Sequence, residues 1–187
     1  MLSRILLVFP ATAIALAALA LLPTCSSTQP SSTVLQAFTV LRDGTGETVG
    51  SATFTQVDGG PVTLEVTLQG VAPGQHGIHI HAVGSCVSTE TVLFGGAGPH
   101  FNPMAKSHGL QNPNGAHGGD LPNVTVDATG AGSARMTTDR LLLAPGLASI
   151  LDGDGSALVV HAGPDDQRSD PAGNSGSRIA CGVIEAG

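Results

Sequence analysis

Six of the seven histidines lie in one stretch, His76 to Asp120. Gly77-Ile78-His79-Ile80-His81 sets two imidazoles two residues apart in an apolar, β-branched run. Alternate residues of a strand share a face, so these two nitrogen donors point the same way. Beyond them, Gly98-Pro99-His100-Phe101-Asn102-Pro103, His108 and His117-Gly118-Gly119-Asp120 place three more imidazoles and a carboxylate in a segment whose Gly, Pro and Asn argue against regular structure. The seventh histidine, His161, ends the apolar run Ala157-Leu158-Val159-Val160. Singly, each reads as a hydrogen-bonded structural residue. Together they read as metal donors. His79, His81, His100 and His161 form an all-imidazole set suited to copper, zinc, iron or nickel. His100, His108, His117 and Asp120 form a set of three nitrogens and one oxygen, compatible with tetrahedral zinc. His100 belongs to both, and a deprotonated imidazole has a nitrogen for each of two cations.

The elements that must position these residues are short and β-prone. Val34 to Leu41, Val49 to Val57, Val62 to Leu68, Gly77 to Val83, Leu121 to Asp127, Gly132 to Thr137, Ser156 to His161 and Arg178 to Ile184 are each about a strand long, show partial alternation and end at turn residues. Eight such segments without an amphipathic helix predict an antiparallel sandwich or barrel. Arg140 to Leu151 is apolar enough for a helical turn, but Pro145-Gly146 precludes a long helix. Two connections, Gly84 to Gly119 and Ala162 to Ser177, are too long for simple turns, and such loops in small domains are usually functional or disordered.

The chain opens as an export signal. Met1 to Arg4 is followed by an apolar, Ala-rich run, Ile5 to Leu22, and a cysteine at position 25. Leu22-Pro23-Thr24-Cys25 resembles a bacterial lipoprotein box with Cys25 as the lipidated first residue; an uncleaved anchor or an unlipidated secreted chain are the alternatives. The predicted organisation is a signal peptide at 1–24, the lipid-attachment cysteine and a flexible tether at 25–33, and one domain at 34–187. Ser, Thr, Gln and Pro dominate the tether. The full chain carries a net charge of −7; without Arg4 there are 6 basic residues against 14 acidic ones, a net of −8. That balance, with no basic cluster or aromatic platform, excludes nucleic acid as a partner class. With Cys25 set aside, Cys86 and Cys181 have one possible intramolecular pairing, which an oxidising compartment would preserve.

The chain resembles the copper-zinc superoxide dismutases from about Val34 to Ile184. The resemblance is carried by Gly77-Ile-His-Ile-His81, Gly98-Pro-His-Phe-Asn-Pro103, Lys106-Ser-His-Gly109, His117-Gly-Gly-Asp-Leu-Pro-Asn-Val124, Leu158-Val-Val-His161 and Gly173-Asn-Ser-Gly-Ser-Arg-Ile-Ala-Cys-Gly-Val183, in family order. It implies an eight-stranded Greek-key β-barrel, a sandwich of immunoglobulin-like architecture with two long functional loops. It makes His79, His81, His100 and His161 copper ligands, and His100, His108, His117 and Asp120 zinc ligands, with His100 as the bridge. Cys86 and Cys181 match the family disulfide, and Arg178 the arginine that guides superoxide to copper. Asp165 matches the carboxylate linking the two metal sites through a histidine of each. His76 matches a structural position.

The implied activity is conversion of two superoxide anions and two protons to oxygen and hydrogen peroxide, by copper redox cycling, with His100 supplying one proton. The implied setting is antioxidant defence outside the cytoplasm, in the periplasm or cell envelope of a bacterium, with membrane contact only through a lipid at Cys25. A homodimer is left open. The rivals are a copper-binding or copper-delivery domain without turnover, and a zinc-only structural domain. The chain departs from animal enzymes in two places. Cys86 to His100 is longer, as in exported bacterial relatives, and Ala162 to Ser177 is short and lacks lysine. Asn123-Val124-Thr125 fits a glycosylation pattern but reads as structural here.

Overall fold

The structure is a computed structural model describing residues 31–187. The expected signal peptide, Cys25 and the expected tether up to residue 30 lie outside the described residues. Ten strand segments follow in order: β1 Val34–Asp43, β2 Thr48–Val57, β3 Val62–Leu68, β4 Gly74–His76, β5 Ile78–His81, β6 Val124–Val126, β7 Gly132–Thr138, β8 Ala157–His161, β9 Arg178–Val183 and β10 Glu185–Ala186. All pair antiparallel, in the order β4-β6-β7-β3-β2-β1-β9-β8-β5, with β10 beside β1.

That order closes on itself. Only Gly77 separates β4 from β5; β4 pairs with β6 and β5 with β8, so one bent stretch supplies both ends of the path. Counting β4 and β5 as one stave and β10 as a short extension leaves an eight-stranded barrel. The jump from β3 to β4 crosses β7 and β6 and the jump from β7 to β8 passes the bent stave, which is Greek-key connectivity. Gly77 is needed at the bend because a Cβ there would lie 2.9 Å from Ser175 Cβ in the 162–177 loop. The aspartates at the end of β1 and just after β6 close their hairpins alike. Asp43 Oδ1 accepts from Thr45 N–H and O–H and from Glu47 N–H, and Asp127 Oδ1 accepts from Thr129 N–H and O–H and from Ala131 N–H. Gly46 and Gly130 then take the left-handed conformation, at φ +92° and +82°.

Alternation sorts the side chains. Ala37, Leu41, Phe54, Leu64, Ile78, Ile80, Leu158 and Val160 fill the barrel. On the opposite face of β8, Ala157 and Val159 join Phe94, Ala97 and Cys181 in a second, smaller cluster under the 84–119 loop. Cys86 and Cys181 are disulfide-bonded there, with Cα atoms 5.7 Å apart. The bridge spans 95 positions, a closure worth about 4–5 kcal/mol in the chain-entropy model.

The expected segments correspond to observed strands, with two short pieces, β4 and β10, added. The 140–151 stretch is a bent loop without a helix, and Leu142 and Ser149 bridge in parallel. Its main chain is held by a side chain instead: buried Gln56 on β2 accepts from Leu143 N–H (2.8 Å) and Ala144 N–H (3.3 Å) and donates to Gly60 O (2.8 Å). Gln56→Leu strands a buried N–H, which costs about 1–3 kcal/mol. Urea unfolding of a soluble chain should show that loss, and a loss below 0.5 kcal/mol (about half the smallest cost of such a stranded group) would mean the loop repairs itself.

Candidate metal centre

On β5 the period of two sends Ile78 and Ile80 into the barrel and His79 and His81 outward. Both histidines are nevertheless fully buried, because the 84–119 and 162–177 loops lie over them. His161, at the end of β8, follows Ala157 and Val159 onto the same outer face. Isolated bridges pair His81 with His100 and His79 with Asp120, drawing the long loop onto β5.

His79 Nδ1 and the Nε2 atoms of His81, His100 and His161 are buried and have no hydrogen-bond partner. These four residues bring donor atoms within 4.8 Å of one another. Buried polar atoms are almost always paired, so four converging orphans mark a place shaped for a cation. Their other nitrogens are engaged. His79 Nε2 donates to Asp165 Oδ2 (2.7 Å), His81 Nδ1 to Gly98 O (2.8 Å) and His161 Nδ1 to Gly176 O (3.1 Å). This fixes the tautomers and leaves lone pairs facing inward. Burial pushes the His79 imidazole down to about 4, that of His161 to about 3 and that of His81 well below its ordinary value. All three are neutral at physiological pH and ready to bind a metal.

The second group surrounds Asp120 Oδ1. His100 Nδ1 lies 2.9 Å from it, His108 Nδ1 3.0 Å and His117 Nδ1 3.3 Å, while His117 Nδ1 and His100 Nδ1 are 3.4 Å apart. Donors bound to zinc at about 2.0–2.1 Å in a tetrahedron stand about 3.3 Å apart, so these separations suit that ion. His79 also lies within 4.8 Å of the His100, His108 and Asp120 donors. Its Nε2, however, is hydrogen-bonded to Asp165 and its Nδ1 faces the first group, while His117 Nδ1 faces Asp120 and His100. Asp120 Oδ2 accepts from Gly109 N–H (2.8 Å) and His117 N–H (2.9 Å). Burial alone would raise the Asp120 carboxyl; hydrogen bonds from His100, His108 and Gly109 overcome that and hold it far below the usual range. Burial likewise lowers His117.

Asp165 joins the groups. Its Oδ2 takes His79 Nε2 and its Oδ1 takes His108 Nε2 at 3.0 Å. Gln167 N–H adds a third hydrogen bond (2.6 Å), and Asn123 clasps the Asp165 main chain at both N–H and O. Gly173, at φ +62°, packs against this carboxylate so closely that a Cβ would stand 1.7 Å from Asp165 Oδ1. His76 is buried between two carbonyls, those of His161 and Ala72, each 2.8 Å away, and faces no metal group.

A depression of about 270 Å³ opens to the first group, lined by His81, His100, His161, Pro171 and Arg178 among others. Arg178 is half-buried and its guanidinium donates to Phe94 O and Gly98 O, both 2.6 Å. Gly98 O thus anchors both Arg178 and His81. Lys106 is exposed and lies outside this lining. A larger groove, about 540 Å³, runs along β1 and residues 181–185 and contains no histidine. Sequence reasoning did not single out Gln167, Asp170, which accepts from His108 N–H (2.5 Å), or Arg140 as parts of the site. Their residue types are ordinary for loops, and no spacing rule marks them.

The copper/zinc superoxide dismutase family model matches residues 48–184. A superoxide dismutase [Cu-Zn] of Caulobacter vibrioides is 41% identical over 149 residues, covering 78% of this chain and 83% of the relative. Superoxide dismutase [Cu-Zn] 2 of Aquifex aeolicus is 41% identical over 152 residues, covering 80% and 86%. Among solved structures, a double mutant of a SOD-like protein from Bacillus subtilis superposes with a TM-score of 0.73 at 40% identity, covering 78% of this chain and 95% of that one. A second structure, of a SOD-like protein from Bacillus subtilis, gives 0.72 at 38%, covering 78% and 96%. The barrel, the paired histidine groups and these likenesses together establish that the chain belongs to the copper/zinc superoxide dismutase family.

Proposed function

We propose that the chain is an exported superoxide dismutase in which His79, His81, His100 and His161 hold copper, and His100, His108, His117 and Asp120 hold zinc. The observation that carries this is the set of four buried, partnerless imidazole nitrogens beside a three-nitrogen, one-oxygen group gathered on Asp120, with His100 offering one nitrogen to each. Copper, when bound, supplies the one-electron couple that dismutation requires, and zinc, which has no redox chemistry, organises the site. One superoxide gives up its electron and leaves as oxygen. A second receives it and leaves, with two protons, as hydrogen peroxide. His100 Nε2 lies buried at the mouth and is placed to carry one of those protons. Asp165 orients His79 and His108 together.

Arg178 is the local cation in an acidic chain. Its fixed guanidinium, at the rim of a narrow opening, focuses the field on an incoming anion. A copper-delivery domain does not need that arginine beside a complete donor set. Export as a lipoprotein is supported by the leader, the Cys25 box and the disulfide.

Equilibrated with both ions, purified soluble protein should take up one copper and one zinc per chain and dismute superoxide only when copper is present. Uptake of zinc alone despite excess copper would end the enzyme reading. In the same measurement Asp165→Asn should weaken zinc retention about 10–100-fold.

Arg178→Ile should lower kcat/KM about tenfold at low ionic strength, with copper content and the cupric spectrum nearly unchanged. A full rate with full metal would show that Arg178 does not steer.

Mass spectrometry of membrane-extracted protein should find Cys25 as a diacylglyceryl-bearing N-terminus. A mature terminus elsewhere would remove the lipoprotein assignment alone.

A further inference from the structure

Of the six histidines in the two groups, five have both ring nitrogens accounted for. His79 and His108 are held by Asp165, His81 by Gly98 O and His161 by Gly176 O, while His100 points one nitrogen into each group. His117 differs. Its Nδ1 faces Asp120 and His100, but among the described residues its Nε2 has no hydrogen-bond partner. No protein hydrogen bond beyond the ring therefore sets its angle, which leaves the placement of its main chain as the handle on where the ring points.

That main chain is gripped from outside the loop. Arg140 Nε donates to His117 O (3.3 Å) and Arg140 Nη2 to Asp120 O (2.8 Å). One planar guanidinium spans the carbonyls of two of the four residues in the zinc-type group, a fork that lysine cannot reproduce. The turn between them is closed internally by a long Asp120 N–H to His117 O bond of 3.4 Å and by His117 N–H to Asp120 Oδ2; Gly119, within it, is bonded to Phe101 O (2.8 Å) and Ile80 N–H (2.9 Å), but neither bond reaches the His117 or Asp120 carbonyl. Arg140 itself is well founded. It follows β7, its N–H donates to Thr138 Oγ1 (3.2 Å), and the next residue, Leu141, is buried in the core. No carboxylate pairs with it among the described residues. A partly buried cation placed near a cation site, with its hydrogen bonds spent on two carbonyls, is poorly explained by charge and well explained by geometry.

We propose that Arg140 is a positioning residue that aims His117, and with it Asp120, at zinc, doing from the barrel what a carbonyl or carboxylate does for the other histidines. The inference rests on the two-metal reading above. Arg140→Gln should weaken zinc about tenfold or more in competition with a chelator, and should change the visible absorption of cobalt(II) placed in the zinc site, which reports tetrahedral geometry. The spectrum of copper bound to the zinc-free chain should not change. Arg140→Lys, which keeps charge and bulk, should fall between, and carries the test if Arg140→Gln fails to fold. Val66→Ala, a core truncation on β3, controls for lost stability and should leave the cobalt spectrum as in the parent. Unchanged zinc affinity and cobalt spectrum in both Arg140 variants, or an equal change in Val66→Ala, would overturn the proposal. A parent chain that bound neither zinc nor cobalt would remove the two-metal reading and this inference with it.

Discussion

An imidazole serves a metal best when its second nitrogen is held, and most of the hydrogen bonds around this site follow from that constraint. The holders come from separate places: a carbonyl in the first loop for His81, a carbonyl in the second for His161, and one carboxylate for both His79 and His108. Each bond selects a tautomer and turns a lone pair inward. Asp165 matters most because it serves a histidine of each group. Movement of the 162–177 loop would therefore disturb both at once.

Burial makes the arrangement consequential. Removed from water, His79, His81 and His161 stay neutral, so a cation meets free lone pairs without first displacing protons. His108 behaves oppositely. Burial would lower it, but hydrogen bonds to Asp120 and Asp165 prevail and raise it to about 9. Both carboxylates stay ionised despite their burial, since donated hydrogen bonds outweigh desolvation. The group around Asp120 therefore contains an ionised carboxylate, which favours a divalent ion once the proton on His108 is displaced, whereas His79, His81 and His161 offer neutral nitrogens.

The barrel supplies rigidity rather than chemistry. Alternation on β5 and β8 puts Ile78, Ile80, Leu158 and Val160 inside and His79, His81 and His161 outside, so the core fixes the Cα positions of three donors. The smaller cluster beneath the 84–119 loop, with the Cys86–Cys181 bridge, pins the segment whose carbonyls, at Phe94 and Gly98, seat Arg178. The bridge and the seat of Arg178 thus share one loop.

The sequence by itself determined the strands, because alternation and turn residues are local: Val62 to Leu68 is read and observed alike. It also determined the donor types and their grouping, since His79 and His81 share a face by periodicity alone and the remaining donors fall in recognisable motifs. The tertiary structure decided the rest. The closure of the barrel through Gly77 depends on two different partners for one stave. Which nitrogen of His79 faces inward depends on which one Asp165 occupies. Gln56, Asn123 and Arg140 act on main-chain groups far away in the chain. A main-chain carbonyl or N–H is common to nearly every residue, so nothing in residue type or spacing announces which one a distant side chain will hold; only the fold brings the two together.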